Sequence, residues 1–257
     1  MNNYKFKIGS FAIVCIILIA TTSSQCKTQP KVHTQSLDDK GFAVLELFTS
    51  QGCSSCPPAD NLLGKYAAQN NDKLITLAFH VDYWNRLGWI DSFSAAAFSN
   101  RQRDYANRID HSSVYTPQLI INGSKEFVGS DDIKIAAAIA NLLKEDPAVL
   151  VSINKTERKE NQIFINYQLD KIVAHTTLQI ALVQKQVFTN ILKGENRGLK
   201  LINYNVVRDF RNTHINNKTA TAELQLPAGY SEKDFAVVLY VQEDATGKII
   251  GATKKNL

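Results

Sequence analysis

Two periodicities divide the chain. Up to about residue 146, continuous apolar runs alternate with stretches in which apolar residues return every three or four positions; beyond residue 148, apolar and polar residues alternate one by one. In the first part, residues 42–48 are rich in Val, Leu and Phe and read as a strand covered on both faces, as in a parallel sheet. Ala59, Leu62, Leu63, Tyr66 and Ala67 fall on one helical face, which predicts a helix over 57–69. Pro57 and Pro58 belong in its first turn, where a missing N–H costs no helical hydrogen bond. Residues 74–81 predict a second buried strand, parallel to the first through the intervening helix. A helix over 94–109 reads as an insertion. Pro117 then opens a strand over 118–121, Asn122-Gly123 makes a two-residue hairpin turn, and residues 125–128 pair back. An alanine-rich helix capped by Ser130 must stop before Asp146-Pro147.

In the second part, Val149, Val151 and Ile153, then Ile163, Ile165 and Tyr167, then Leu178, Ile180 and Leu182 alternate with polar neighbours. Further strands are predicted over 206–210, 220–226, 235–242 and 249–253. Short strands with polar turns describe a mostly antiparallel β-sandwich-like domain. The pattern thus predicts an α/β domain over 41–146, a mixed sheet flanked by helices, followed by a β-rich domain over 148–257.

The start of the chain changes the setting. Lys5 and Lys7 precede an apolar run over 8–20 that is short for a membrane span, with small polar residues after it, so residues 1–25 read as a secretory signal peptide. Its removal would lower the formal charge from +5 to +3, without a basic block, so nucleic acid is not the implied partner. Cys26 follows small residues as in a bacterial lipoprotein cleavage box, although Gln25 departs from the usual small residue there. Lipidation at Cys26 would tie the protein to a membrane, and residues 26–40 read as a flexible tether. The expected location is the bacterial cell envelope, periplasmic or otherwise outside the cytoplasm.

Cys15 lies in the leader and Cys26 just after it, which leaves Cys53 and Cys56 for the folded body. They sit two residues apart where the first strand gives way to the first helix. A CxxC at such a junction fits three uses: redox exchange, half of a Cu(I) or Zn(II) site completed by His80 or His111, or a permanent staple. Glu46, a carboxylate on a core strand, needs a partner or a task. His80 falls near the carboxyl end of the second strand, the edge where open α/β sheets bind ligands. Trp84 and Trp89 occupy a loop, either packing it down or forming a groove for a partner chain. His175 and His214 read as isolated surface residues, and Arg197, Arg208 and Asp209 as interdomain ion-pair candidates.

The order strand, CxxC, helix, strand, inserted helix, Thr-Pro, hairpin, helix resembles the thioredoxin fold. FTSQGCSSCPPAD, together with YTPQLIING and GENRGLKLINYNVVRDF, is similar to a family of secreted, thioredoxin-like bacterial proteins of unassigned function. The resemblance implies a cis Thr116-Pro117 bond facing the thiols and presenting backbone groups to an extended substrate; His80 and Trp84 join it as substrate-binding candidates by their places at the sheet edge and in the loop. It implies Cys53 as attacking thiol, Cys56 as resolving thiol and Glu46 as the buried acid that takes up a proton. Thioredoxins place that acid one residue nearer the first cysteine and have no proline directly after the second. The implied activity is disulfide exchange with a thiol- or disulfide-bearing protein, through a redox-active Cys53-Cys56 disulfide and no other cofactor.

Overall fold

The computed structural model describes residues 40–109 and 113–257, with Met1 and Asn3. The rest of the leader, Cys26, nearly all of the tether and His111 lie outside the described residues. Among the described residues no helix is long and apolar enough to cross a membrane.

The elements in chain order are β1 (Ala43–Thr49), α1 (Pro57–Ala67), β2 (Leu74–His80), α2 (Ala96–Arg108), β3 (Gln118–Ile121), β4 (Lys125–Val128) and α3 (Asp132–Leu142). There follow β5 (Val151–Lys159), β6 (Gln162–Leu169), β7 (Thr176–Asn190), β8 (Lys200–His214), β9 (Thr219–Gln225), β10 (Phe235–Glu243) and β11 (Ile249–Asn256). The fold is mixed α/β. An eight-stranded sheet runs β11-β10-β7-β8-β2-β1-β3-β4, and a three-stranded antiparallel sheet runs β5-β6-β9. β1 and β2 are parallel, β3 and β4 antiparallel to β1 and to each other respectively, as the apolar runs and the hairpin signal predict.

The large sheet crosses the boundary expected at residues 146–148. β8 joins β2 in parallel through Ala78 and Val206, so strands of both halves share one sheet, and the described residues from 40 to 257 form one compact unit. β7 and β8 are 15 residues each, far longer than the apolar segments that betray them, because their outer halves are half-exposed and polar. Alternate residues of β7 feed opposite sides: Leu178, Ile180 and Leu182 pack against the three-stranded sheet, while Ala181 and Val183 face the core beneath α2. The sandwich-like pairing of layers is therefore present, with the larger layer continuous with the first half of the chain.

Residue parity on β1 divides the remaining core. Ala43, Leu45 and Leu47 pack against α1 and α3, and Val44 and Phe48 face α2. Two local readings differ in detail. The β3–β4 turn holds three residues, Asn122, Gly123 and Ser124, because Ile121 pairs with Lys125, and Asn122 and Gly123 both have positive φ, 45° and 65°. Asp131 rather than Ser130 caps α3, its carboxylate accepting the Lys134 amide at 3.2 Å.

Candidate functional site

β1 delivers the chain at the carboxyl edge of the sheet, where residues 50–52 turn it toward α1. The Ser50 side chain accepts the Gly52 amide at 3.1 Å, and the Ser50 carbonyl accepts the Cys53 amide at 3.2 Å. Cys56 is the N-cap of α1, with Pro57 and Pro58 in the first two helical positions. This turn brings the Cα atoms of Cys53 and Cys56 to 5.4 Å, and the two form a disulfide. Both cysteines are fully buried, 0% exposed, while Ser54 and Ser55 between them are exposed.

Three segments cover the pair. The Thr116-Pro117 bond, cis as the resemblance implies, approaches from the start of β3, and the Ser55 hydroxyl lies 3.5 Å from the Thr116 carbonyl oxygen. Gly129 permits this approach, since a Cβ there would lie 3.1 Å from both Pro117 and Ala59 of α1. Trp84 donates its indole N–H to the Thr116 hydroxyl at 2.8 Å, and Trp89 donates to the Gln51 side chain at 3.2 Å. Both indoles are half-buried and fasten the loop down. The third segment is the β7–β8 connection. Asn196, buried, donates from Nδ2 to the carbonyls of Gln51 and Cys53, each at 2.9 Å, and Glu195 Oε2 accepts the Ser54 amide at 3.1 Å.

Beneath the pair lies a buried polar cluster. His80 Nδ1 is 2.6 Å from Asp91 Oδ2, which also accepts the Gln51 amide at 2.8 Å. Asp60, one helical turn beyond Cys56 and 3% exposed, accepts the Thr49 hydroxyl at 3.2 Å. Gln51 Nε2 donates to Thr189 and to Asn203 Oδ1 at 2.9 and 3.0 Å. Asp60 Oδ1, His80 Nε2 and Asn203 Nδ2 are buried with no hydrogen-bond partner among the described residues. Burial pushes the Asp60 carboxyl up to about 7, against the opposing pull of His80 and the Thr49 hydroxyl. Burial works against a charged His80, but the Asp91 carboxylate, with Asp60 behind it, raises its pKa above the ordinary imidazole value. Asp91 is likewise penalised by burial, and His80 with the amides of Gln51 and Phe93 brings it below the usual carboxylate value.

Glu46 lies elsewhere. Its parity on β1 turns it to the α2 face, where both carboxylate oxygens bind Arg101, at 2.8 and 3.1 Å. Tyr105 and Tyr240 also donate to it, the latter at 2.6 Å. Arg101 lies over the rings of Tyr105 and Phe210, each 4.9 Å from the ring centre. Every acceptor position of Glu46 is thus committed to a network joining β1, α2 and β10, whereas Asp60 lies on α1 four residues after Cys56, its amide donating to the Cys56 carbonyl at 3.1 Å. The expected interdomain ion pair also differs: Asp209 pairs with Arg211 at 2.9 Å, and Arg208 bonds Gln184 and stacks over Phe93.

Cys53, Cys56, Thr116, Pro117 and Trp84 therefore converge, with His80 beneath them. Asp60, Asp91, Glu195 and Asn196 join them unannounced. Asp60 looks in sequence like an ordinary acid of a first helical turn, and only its place behind two core strands distinguishes it. Among the described residues no group of three or more His, Cys, Asp or Glu is arranged to hold a metal.

The family described as "Protein of unknown function (DUF1223)" matches residues 44–242. A crystal structure of a protein from Agrobacterium tumefaciens is similar, with 28% identity and a TM-score of 0.64, covering 82% of this chain and 92% of that one. A β-glucosidase from Kluyveromyces marxianus matches at 13% identity and a TM-score of 0.21, over 43% of this chain and 14% of its own. No curated protein matches.

Proposed function

The chain belongs to the DUF1223 family of proteins of unknown function, and from the geometry around Cys53 and Cys56 we propose that it is a thioredoxin-like thiol-disulfide oxidoreductase of the bacterial cell envelope. The observation that carries this reading is a disulfide closed across the junction of a core strand and a helix, faced by the Thr116-Pro117 segment of a second strand. In the reduced form, Cys53 as thiolate attacks one sulfur of a substrate disulfide. That bond breaks and the departing thiolate takes a proton. Cys56, giving its proton to the Asp60 carboxylate, then attacks the Cys53 sulfur of the mixed disulfide, and the second substrate thiolate leaves and takes up that proton. Two electrons and two protons pass from the pair to the substrate, and a dithiol-bearing partner protein resets the pair by the reverse exchange.

Full burial of both sulfurs supports a second reading, a permanent staple between β1 and α1 in a binding protein. The two separate on reactivity. With the reduced protein and a small aromatic disulfide, Cys53→Ser should abolish exchange and Cys56→Ser should accumulate a mixed disulfide on Cys53. Wild-type exchange no faster than that of the double variant would leave the staple.

A further inference from the structure

The segment that covers the pair from the second half of the chain brings a charge with it. The β7–β8 connection folds back on itself: the Ile191 amide donates to the Leu199 carbonyl at 2.9 Å, and the Gly198 amide to the Ile191 carbonyl at 2.8 Å. Gly194 and Gly198 take positive φ, 75° and 88°, and a Cβ on Gly194 would lie 3.1 Å from Trp89. Asn196 anchors the loop through its two bonds to the Gln51 and Cys53 carbonyls. Glu195 is thereby set with its carboxylate 3.1 Å from the amide nitrogen of Ser54, the residue directly after Cys53.

A thiolate at the head of a helix is stabilised by nearby amide N–H groups and by the positive end of the helix dipole. Here several of those donors are withdrawn. Pro57 and Pro58 have none. The Cys56 amide is directed to the Cys53 carbonyl at 3.3 Å, and the Ala59 and Asp60 amides to the Cys56 carbonyl. The Ser54 amide is held by Glu195, whose negative charge opposes a second negative charge on the adjacent Cys53. Pairs whose thiolate is well stabilised are strong oxidants, because their reduced form is favoured; here the Glu195 charge and the committed amides work the other way, against the Ser55 hydroxyl 3.4 Å from Cys53 Sγ.

We propose that Glu195 is a positioning residue that biases the Cys53-Cys56 pair toward the disulfide, so that the reduced protein is a donor of electrons to oxidised protein thiols. This rests on the exchange chemistry proposed above and gives it a direction. The electrons go to a substrate disulfide, which becomes two thiols, and come from a dithiol-bearing partner.

The test is the equilibrium of the full-length protein with reduced and oxidised glutathione, read by alkylation and mass, for wild type, Glu195→Gln and Glu195→Lys. Glu195→Gln keeps an acceptor for the Ser54 amide and removes the charge. It should shift the equilibrium about tenfold toward the dithiol, a rise of about 30 mV, with Glu195→Lys going further in the same direction. The Cys53 thiolate pKa, from the pH dependence of alkylation rate, should fall in the same order, while the melting temperature does not follow it. Wild-type exchange with an equilibrium unchanged or lowered in both variants would overturn the role of Glu195 and leave the exchange activity standing. A wild-type pair that does not equilibrate with glutathione at all would overturn both.

Discussion

The side chain of Asn196 lies 143 residues along the chain from Cys53 and donates to its carbonyl oxygen at 2.9 Å. The same Nδ2 serves the Gln51 carbonyl at the same distance. The loop carrying the cysteines is thus shaped in part by the second half of the chain.

Removing that anchor should loosen the cover over the disulfide. Asn196→Ala leaves two buried carbonyls short of a donor, at a cost of about 2 kcal/mol, measurable by urea unfolding of the oxidised protein. Reduction of the native disulfide by dithiothreitol should accelerate several-fold, followed by quenched alkylation. An unchanged reduction rate would show that Asn196 does not guard access.

Asp60 gives the stability a pH dependence of defined sign. Its folded pKa of about 7 exceeds the ordinary value of 3.8, so the folded state holds a proton that the unfolded chain has lost. Stability therefore falls as pH rises from about 4 to about 7, by at most roughly 4 kcal/mol. His80, raised above 6.5, acts in the same direction at higher pH: its contribution is complete below 6.5 and is lost as pH rises through its folded value. Asp91, lowered, contributes above the ordinary carboxylate value and loses that contribution as pH falls. Asp60→Asn should flatten the decline between pH 4 and 7 and be more stable than wild type at pH 8, as read from thermal melts across pH. An unaltered profile would show that Asp60 does not set this pH dependence.

What the sequence discloses depends on how local the cause is. β1, α1, β2, the β3–β4 hairpin and α3 follow from periodicity, two prolines and an Asn-Gly turn within a few residues of one another. The pairing of β2 with β8 does not, since Ala78 and Val206 meet through no local pattern, and the boundary between periods passes for a boundary between domains. The cysteines are legible for the same reason as α1. Most of their surroundings are not: His80 stands out by its place at the sheet edge, but Asp60, Asp91, and Asn196 with Glu195 come from separate stretches, and each alone reads as an ordinary polar residue. Glu46 was visible as an anomaly because a core strand carried a charge, but its partners Arg101 and Tyr240 lie 55 and 194 residues away.

Those partners make Glu46 a structural residue with a measurable signature. Arg101→Met removes the cation and strands a carboxylate that is 0% exposed, so it should destabilise by about 3–5 kcal/mol. The double variant Glu46→Leu, Arg101→Met removes both charges together and should recover much of that loss, measured by denaturant unfolding. Additive losses from the two single substitutions would show that the charges do not act as a pair.

Disulfide exchange is tested most directly by a redox titration of the native Cys53-Cys56 pair in thiol-disulfide buffers of graded potential, with both thiols counted by alkylation and mass. The expected result is a reversible two-electron transition within the span of exchange-active CxxC proteins, about −270 to −120 mV, and toward its lower end. A pair that stays oxidised in the folded protein below about −300 mV would contradict it and make the disulfide a staple.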